Sequence, residues 1–373
     1  MPPASSSPDW APPEGGEGFA TRIVRGGPPA GRPDGSVASV PSPAAAELAP
    51  RILQGDRIAL ARGITLVESR VAAHRAAADS LLEQVQARAG GALRIGITGV
   101  PGAGKSTFID ALGVQLCEGG WRVAVLSVDP SSPVTGGSIL GDKTRMDRLA
   151  RHPHAFIRPS PSGGELGGVA RRTRETITLC EAAGFDTVLV ETVGVGQSEV
   201  VVRGMVDCFV VLMIAGAGDE LQGMKKGVLE LADLLVINKA DGENRAHAEA
   251  ARLEFTRALH YLAGRAGAWQ APVLTCSAQT GDGVREVWAT VERFIAQARG
   301  SGDFDARRSG QQLTWLQALI EEGLHELWRG SPALRAEQAE VVRLVTAGTL
   351  SPAAGAQRLL RRIVAAPADK MDE

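Results

Sequence analysis

The sequence predicts an α/β protein, a mainly parallel sheet covered by helices on both faces, and three observations carry that prediction. Short apolar runs at 93–98, 122–128, 186–191, 208–214, 233–238 and 272–276 are nearly continuous rather than alternating, as strands buried on both faces require. Helical patterns at 104–117, 168–183, 219–231, 244–263 and 282–298 separate most of these runs, the alternation that builds a parallel sheet. With 373 residues, 44% of them hydrophobic, the chain can bury one large core with helical additions.

Each flank reads differently from this core. Residues 1–45 are rich in Pro, Gly, Ser and Ala without periodic apolar positions, the composition of a disordered tail. Over 46–90, Leu48, Ile52, Leu60, Ile64, Val67, Leu81 and Val85 recur at helical spacing, and two helices are expected before the core, which spans 91–300. A polar break is expected at 300–310. Beyond it, over 311–365, Leu313, Leu316, Ile320, Leu324 and Leu327, with Trp315 and Trp328, give a helix with a wide apolar face. Pattern alone leaves open whether that face packs on the core or against a second copy.

Composition excludes several classes. A net charge of −2 and 4% aromatic residues do not make a surface for phosphodiester backbone or stacked bases, so no nucleic acid partner is expected. No apolar run reaches the roughly 20 residues that span a bilayer, and no basic-then-apolar leader opens the chain, so the expected location is cytoplasmic, away from the membrane. Cys117, Cys180, Cys208 and Cys276 stand singly in helix and strand patterns and are expected as buried free thiols. His152 and His154 lack a third ligand nearby and read as a polar loop. Only six of the 40 basic residues are Lys, and five of those six fall in the segments assigned below to nucleotide chemistry. There a compact ammonium does what a guanidinium cannot.

The motifs point to a nucleoside triphosphate. Gly99-Val100-Pro101-Gly102-Ala103-Gly104-Lys105-Ser106-Thr107 follows a strand pattern and opens a helix pattern, the context that makes G-x-x-x-x-G-K-S a phosphate-binding loop. Backbone N–H groups face the phosphates, Lys105 reaches the β and γ oxygens, and the Ser106 hydroxyl ligates Mg²⁺. Asn238-Lys239-Ala240-Asp241, after the run 234–237, selects the base. The Asp241 carboxylate accepts from guanine N1–H and the exocyclic amine, donors that adenine does not offer there. Ser277 and Ala278, after the next strand, fit a loop whose N–H meets guanine O6. Glu191 and Asp129 end strand patterns on the same sheet edge, where a magnesium shell draws its oxygen ligands, and the Gly194 amide can sense the γ-phosphate. Asp142 sits in Gly-Asp-Lys-Thr-Arg-Met, a loop able to swing onto the metal. Spacing does not single out Arg145, Arg171 or Arg172 as an arginine that neutralises phosphate charge.

These segments together resemble the methylmalonyl-CoA mutase-associated GTPase chaperones, relatives of the nickel-inserting GTPases within the signal-recognition-particle class. The matching stretches are 99–107, 128–132, 141–146, 191–199, 218–227 and 238–241, in the same order from about residue 47 to 365. The resemblance implies a P-loop GTPase fold and slow intrinsic hydrolysis of GTP to GDP and phosphate, stimulated by a partner. It further implies gating of adenosylcobalamin loading onto methylmalonyl-CoA mutase or a related acyl-CoA mutase, and protection or reactivation of that enzyme. It implies Ser106, Asp129, Asp142 and Glu191 as the metal shell and Lys105, Glu191 and Asp142 as catalytic. It implies Gln222 and Lys225 in a switch that contacts the mutase, and the C-terminal helices as the arm of a homodimer. Two alternatives are a nickel-insertion GTPase, against which the missing Cys and His cluster speaks, and a P-loop kinase linked to amino-acid transport.

Overall fold

The apolar runs are strands of one seven-stranded sheet, in a computed structural model that describes residues 45–69, 71–128, 145–159, 166–192, 198–216, 226–262 and 269–365. They are β1 (Leu93–Gly99), β2 (Val123–Val128), β3 (Ala155–Pro159), β4 (Thr187–Thr192), β5 (Cys208–Ile214), β6 (Leu234–Asn238) and β7 (Val273–Thr275). Their order is β3-β2-β4-β1-β5-β6-β7 and every pairing is parallel. Strand β3 is an addition to the sequence reading, which leaves 152–159 as loop. Only five residues long and carrying Arg158 and Pro159, it has little apolar run to read, and it sits at the sheet edge where a proline is tolerated.

Helices α1 (Ala45–Leu53), α2 (Arg57–Val67) and α3 (Ala72–Val85) precede the sheet, three where two were expected. Asp56 accepts from Ile58 N and Ala59 N and so starts α2, splitting what the spacing alone reads as one longer helix. The core helices are α4 (Lys105–Glu118), α5 (Asp147–Ala150), α6 (Leu166–Ala182), α7 (Ser198–Arg203), α8 (Lys226–Glu230), α9 (Arg245–Leu262) and α10 (Val284–Ser301). Of the helix expected over 219–231, the described part is α8. Side chains such as Ile95, Ile97, Phe108 and Phe209 are fully buried between sheet and helices, each stabilising the fold by about 1.5–3 kcal/mol.

The polar break expected at 300–310 is not a break. Gly302, in the left-handed region at φ 81°, alone separates α10 from α11 (Asp303–Gly330), and α12 (Pro332–Thr346) and α13 (Pro352–Ala365) follow. The polar residues there are instead ion-pair partners of the sheet. Arg308 binds both Asp207 oxygens through Nε (2.8 Å) and Nη2 (2.6 Å), and Arg307 reaches Asp233 (3.1 Å) and the Asp207 carbonyl (2.6 Å). Asp207 and Asp233 immediately precede β5 and β6, so α11 is fastened to the amino end of the sheet. The strands' carboxyl ends lie at the opposite edge. Right-handed crossovers send the chain leaving β1 and the chain leaving β4 to opposite faces, opening the crevice where α/β sheets bind ligands.

Candidate active site

Every described candidate residue stands at or just beyond a carboxyl strand end. The turn from β1 into α4 is the predicted phosphate loop, and glycine is required at two of its positions. A Cβ on Gly99 would lie 2.1 Å from the Leu212 carbonyl oxygen of β5, and Gly104, at φ 85°, would press a Cβ to 2.8 Å from Asn238 Nδ2. Pro101, Gly102, Gly104, Lys105, Ser106 and Thr107 line a cleft of about 600 Å³, with Ser127, Val128, Arg145, Glu191, Thr192 and Lys239 forming the rest of its wall. Val100 and Ala103 turn into the core.

Lys105 Nζ donates to the carbonyls of Gly99 (2.9 Å) and Val100 (3.2 Å), folded back along its own loop. Burial pulls its ammonium below the ordinary lysine range, against the opposing pull of the Glu191 and Glu199 carboxylates. A polyphosphate would add the counter-charge that offsets this burial. Across the cleft, Ser106 Oγ donates to Glu191 Oε1 at 2.9 Å, so α4 and β4 bring together two hard oxygen donors. That pair suits Mg²⁺, which takes few protein oxygens and keeps phosphate and water for the rest of its shell. The described residues hold no group of three or more His, Cys, Asp or Glu that could hold a metal ion. Next to Glu191, the Thr192 hydroxyl donates to Thr98 at 2.6 Å, clamping β4 to β1 just before both chains enter the site.

The base-side residues converge on Asn238. Its Nδ2 donates to Ala103 O (2.8 Å), and its Oδ1 accepts from Ala278 N (3.0 Å) and the Cys276 thiol (3.4 Å). One buried amide thus ties the phosphate loop to the two loops that follow β6 and β7. Burial pushes the Cys276 thiol up to about 12, so it keeps the proton it donates. Lys239 has a left-handed backbone at φ 60°, the one non-glycine residue to do so among the described residues, a strain of about 1–3 kcal/mol. Asn244 holds that turn by donating to Lys239 O at 2.7 Å, and Ala240 N donates to Cys276 O at 3.0 Å. The Asp241 carboxylate accepts from the Ser277 hydroxyl, which leaves its other oxygen for a base.

Asp129, Asp142, Gly194, Gln222 and Lys225 lie outside the described residues. The structure adds Thr98, Thr192, Ser127, Arg145 and Cys276 to the site. A strand-end position was the available signal for Thr192 and Cys276, which adjoin Glu191 and Ser277. Of the three undecided arginines, Arg171 is bonded to Glu175 (2.7 Å) and Glu322 (3.1 Å) and does not line the cleft, and Arg172 lines a small neighbouring chamber with Glu68, Arg158 and Ser127. All four cysteines are buried free thiols.

The model of the family described as "Methylmalonyl Co-A mutase-associated GTPase MeaB" matches residues 60–333. The chain belongs to this family. A Mycobacterium tuberculosis protein named "Probable GTPase Rv1496" is 56% identical over 313 residues, covering 84% of this chain and 93% of its own length. The Escherichia coli "GTPase ArgK" is 50% identical over 315 residues (84% and 95%). The mouse "Methylmalonic aciduria type A homolog, mitochondrial" is 46% identical over 320 residues (83% and 77%). Among solved structures, one described as "Crystal structure of LAO/AO transport system kinase" is 42% identical with TM-score 0.67, covering 86% of this chain and 97% of that one. The chain is therefore a P-loop GTPase of the mutase-associated family, binding GTP and GDP. None of its described helices is long and apolar enough to cross a membrane.

Proposed function

We propose that this GTPase is a chaperone that gates adenosylcobalamin loading onto methylmalonyl-CoA mutase or a related acyl-CoA mutase, and protects or reactivates that enzyme. The observation that carries this reading is the family match over 60–333, whose description names the mutase. In this reading the phosphate loop from Gly99 to Thr107 holds the triphosphate, Asn238, Lys239 and Asp241 read guanine, and Ser277 and Ala278 close over the base. Ser106 and Glu191, with Asp129 and Asp142, hold Mg²⁺, and Gly194 senses the γ-phosphate. When bound, the ion neutralises charge on the β and γ phosphates. Lys105 leaves the Gly99 and Val100 carbonyls for the phosphate oxygens. Gln222 and Lys225 belong to the segment that reports nucleotide state to the mutase, and ordering of that segment speeds hydrolysis.

The arm over 311–365 pairs with a second copy. Leu313, Leu316, Ile320, Leu324 and Leu327 are each 50–68% exposed along one stripe of α11, more apolar surface than a lone helix leaves in water. The test is copurification with a cobalamin-dependent acyl-CoA mutase and GTPase assay with and without it. Stimulation is expected, and no stimulation by any such mutase overturns the reading. A second reading, phosphoryl transfer to an acceptor other than water, is carried by the 42% identical solved structure, which is called a kinase. It requires ATP, and the acceptor carboxylate of Asp241 favours guanine; competition of GDP against ADP for the site separates the two.

A further inference from the structure

The cleft contains one guanidinium that no part of the GTPase assignment uses. Arg145 is exposed and lines the cleft with Lys105, Ser106 and Thr107. The residues directly after it are fixed to α4, the helix that the phosphate loop opens. Met146 and Leu149 are fully buried, and Leu149 packs on Gly113, where a Cβ would come within 2.5 Å of Leu149 Cδ2. Asp110 of α4, itself 6% exposed, accepts from Leu149 N at 2.9 Å and from Arg148 Nε at 2.8 Å. Anchor and phosphate loop therefore share one helix, and Arg145 is tethered at its base while its side chain stays in the cleft. Arg171 and Arg172 have no such placement, since the first is bonded to two carboxylates and the second lines another chamber.

We propose that Arg145 is a catalytic residue supplied by the chain itself, neutralising the charge that develops on the phosphate during GTP hydrolysis. In that reaction a water oxygen bonds to the γ-phosphorus and the bond from that phosphorus to the β,γ-bridging oxygen breaks. The electron pair stays on GDP and both of the water's protons leave on the phosphate product. Negative charge grows at the bridging oxygen as its bond lengthens, and a planar fork of N–H donors stabilises it there. Asp110 is the positioning residue. By holding Leu149 and Arg148 it sets where the segment that begins at Arg145 stands.

Steady-state and single-turnover hydrolysis by the full-length protein test this, with GDP affinity measured in parallel. Arg145→Ala is expected to lower kcat at least about tenfold while KM for GTP and GDP affinity change less than about threefold, the pattern of an interaction made only in the transition state. Arg145→Lys, which keeps the charge and loses the fork, is expected to recover only part of the rate, and added guanidinium ion to restore part of the Arg145→Ala rate. Asp110→Asn is expected to lower kcat on its own and to have no further effect when combined with Arg145→Ala. Wild-type kcat in Arg145→Ala, or a loss confined to KM, overturns the proposal.

Discussion

At the amino end of the sheet, Asp207 and Asp233 each collect several donors, whereas at the carboxyl end Lys105 and Glu68 are held against the cost of burial. Asp207 accepts from Arg308 and from Arg94 N (2.8 Å), and Asp233 from Arg307, Arg203 and Phe209 N (2.9 Å). Burial alone would lower the Arg308 guanidinium, yet pairing with Asp207 wins and raises it above its ordinary value. Arg203 goes the other way, because burial outweighs its bond to Asp233 and Arg307 lies beside it. Lys105 is lowered by burial, with Glu191 and Glu199 too weak to offset it, and Glu68 is raised by burial despite Arg158 and Arg172. Arg203 apart, the amino end satisfies its charges internally and anchors helices. The other keeps charge at a cost, which at Lys105 an anionic ligand relieves.

Substitutions can break this contrast. The largest effect on stability is expected from Asp207→Ala, which removes the carboxylate that binds the Arg308 guanidinium through two nitrogens and costs about 3–5 kcal/mol. Urea unfolding measures it, and hydrolysis per folded molecule should be unchanged. A similar loss for Lys105→Ala without nucleotide would erase the distinction between the two ends. Instead Lys105→Ala is expected to change stability by less than about 1 kcal/mol, its two bonds being to loop carbonyls, while abolishing the rise in melting temperature that GTP produces.

Asp241→Asn sharpens the comparison on the base side. Replacing an acceptor by an amide is expected to weaken GTP roughly 10²-fold or more and to favour xanthosine triphosphate, whose ring carries an acceptor where guanine has its amine; nucleotide competition reads this directly. The smallest effect is in pH dependence. The raised Glu68 group binds a proton more readily folded than unfolded, so its contribution is complete below the unfolded value, near 4.5, and is lost as pH rises through the folded one. Glu68→Gln should therefore gain stability relative to the wild type on going from pH 4 to pH 7, and denaturant midpoints at the two pH values would show the opposite trend if pairing with Arg158 dominated.

Much of the carboxyl end was legible because its chemistry is local in sequence. A phosphate loop is nine consecutive residues, and Asn238 to Asp241 are four, each announced by the apolar strand before it. The amino end was not, since Arg308 meets Asp207 across 101 positions and both look like ordinary polar residues, one in an expected break and the other beside a strand. The same reason hid the Thr98–Thr192 bond, which depends on the register of β1 against β4, and the place of Arg145, which depends on a carboxylate in α4. Strand β3 was missed for a different cause, a run too short and too polar for periodicity to register.

Helix α11 is fastened in two places, by Arg307 and Arg308 to the amino end of the sheet and by Glu322 to Arg171 of α6. Its 28 residues span about 42 Å, and Arg308 and Glu322 stand about 21 Å apart along it. A helix held at two points cannot tilt about one without straining the other, so α11 and α6 move as one body. A shift beneath β5 and β6 is thereby passed along α11 to α6, on the far side of the second fastening.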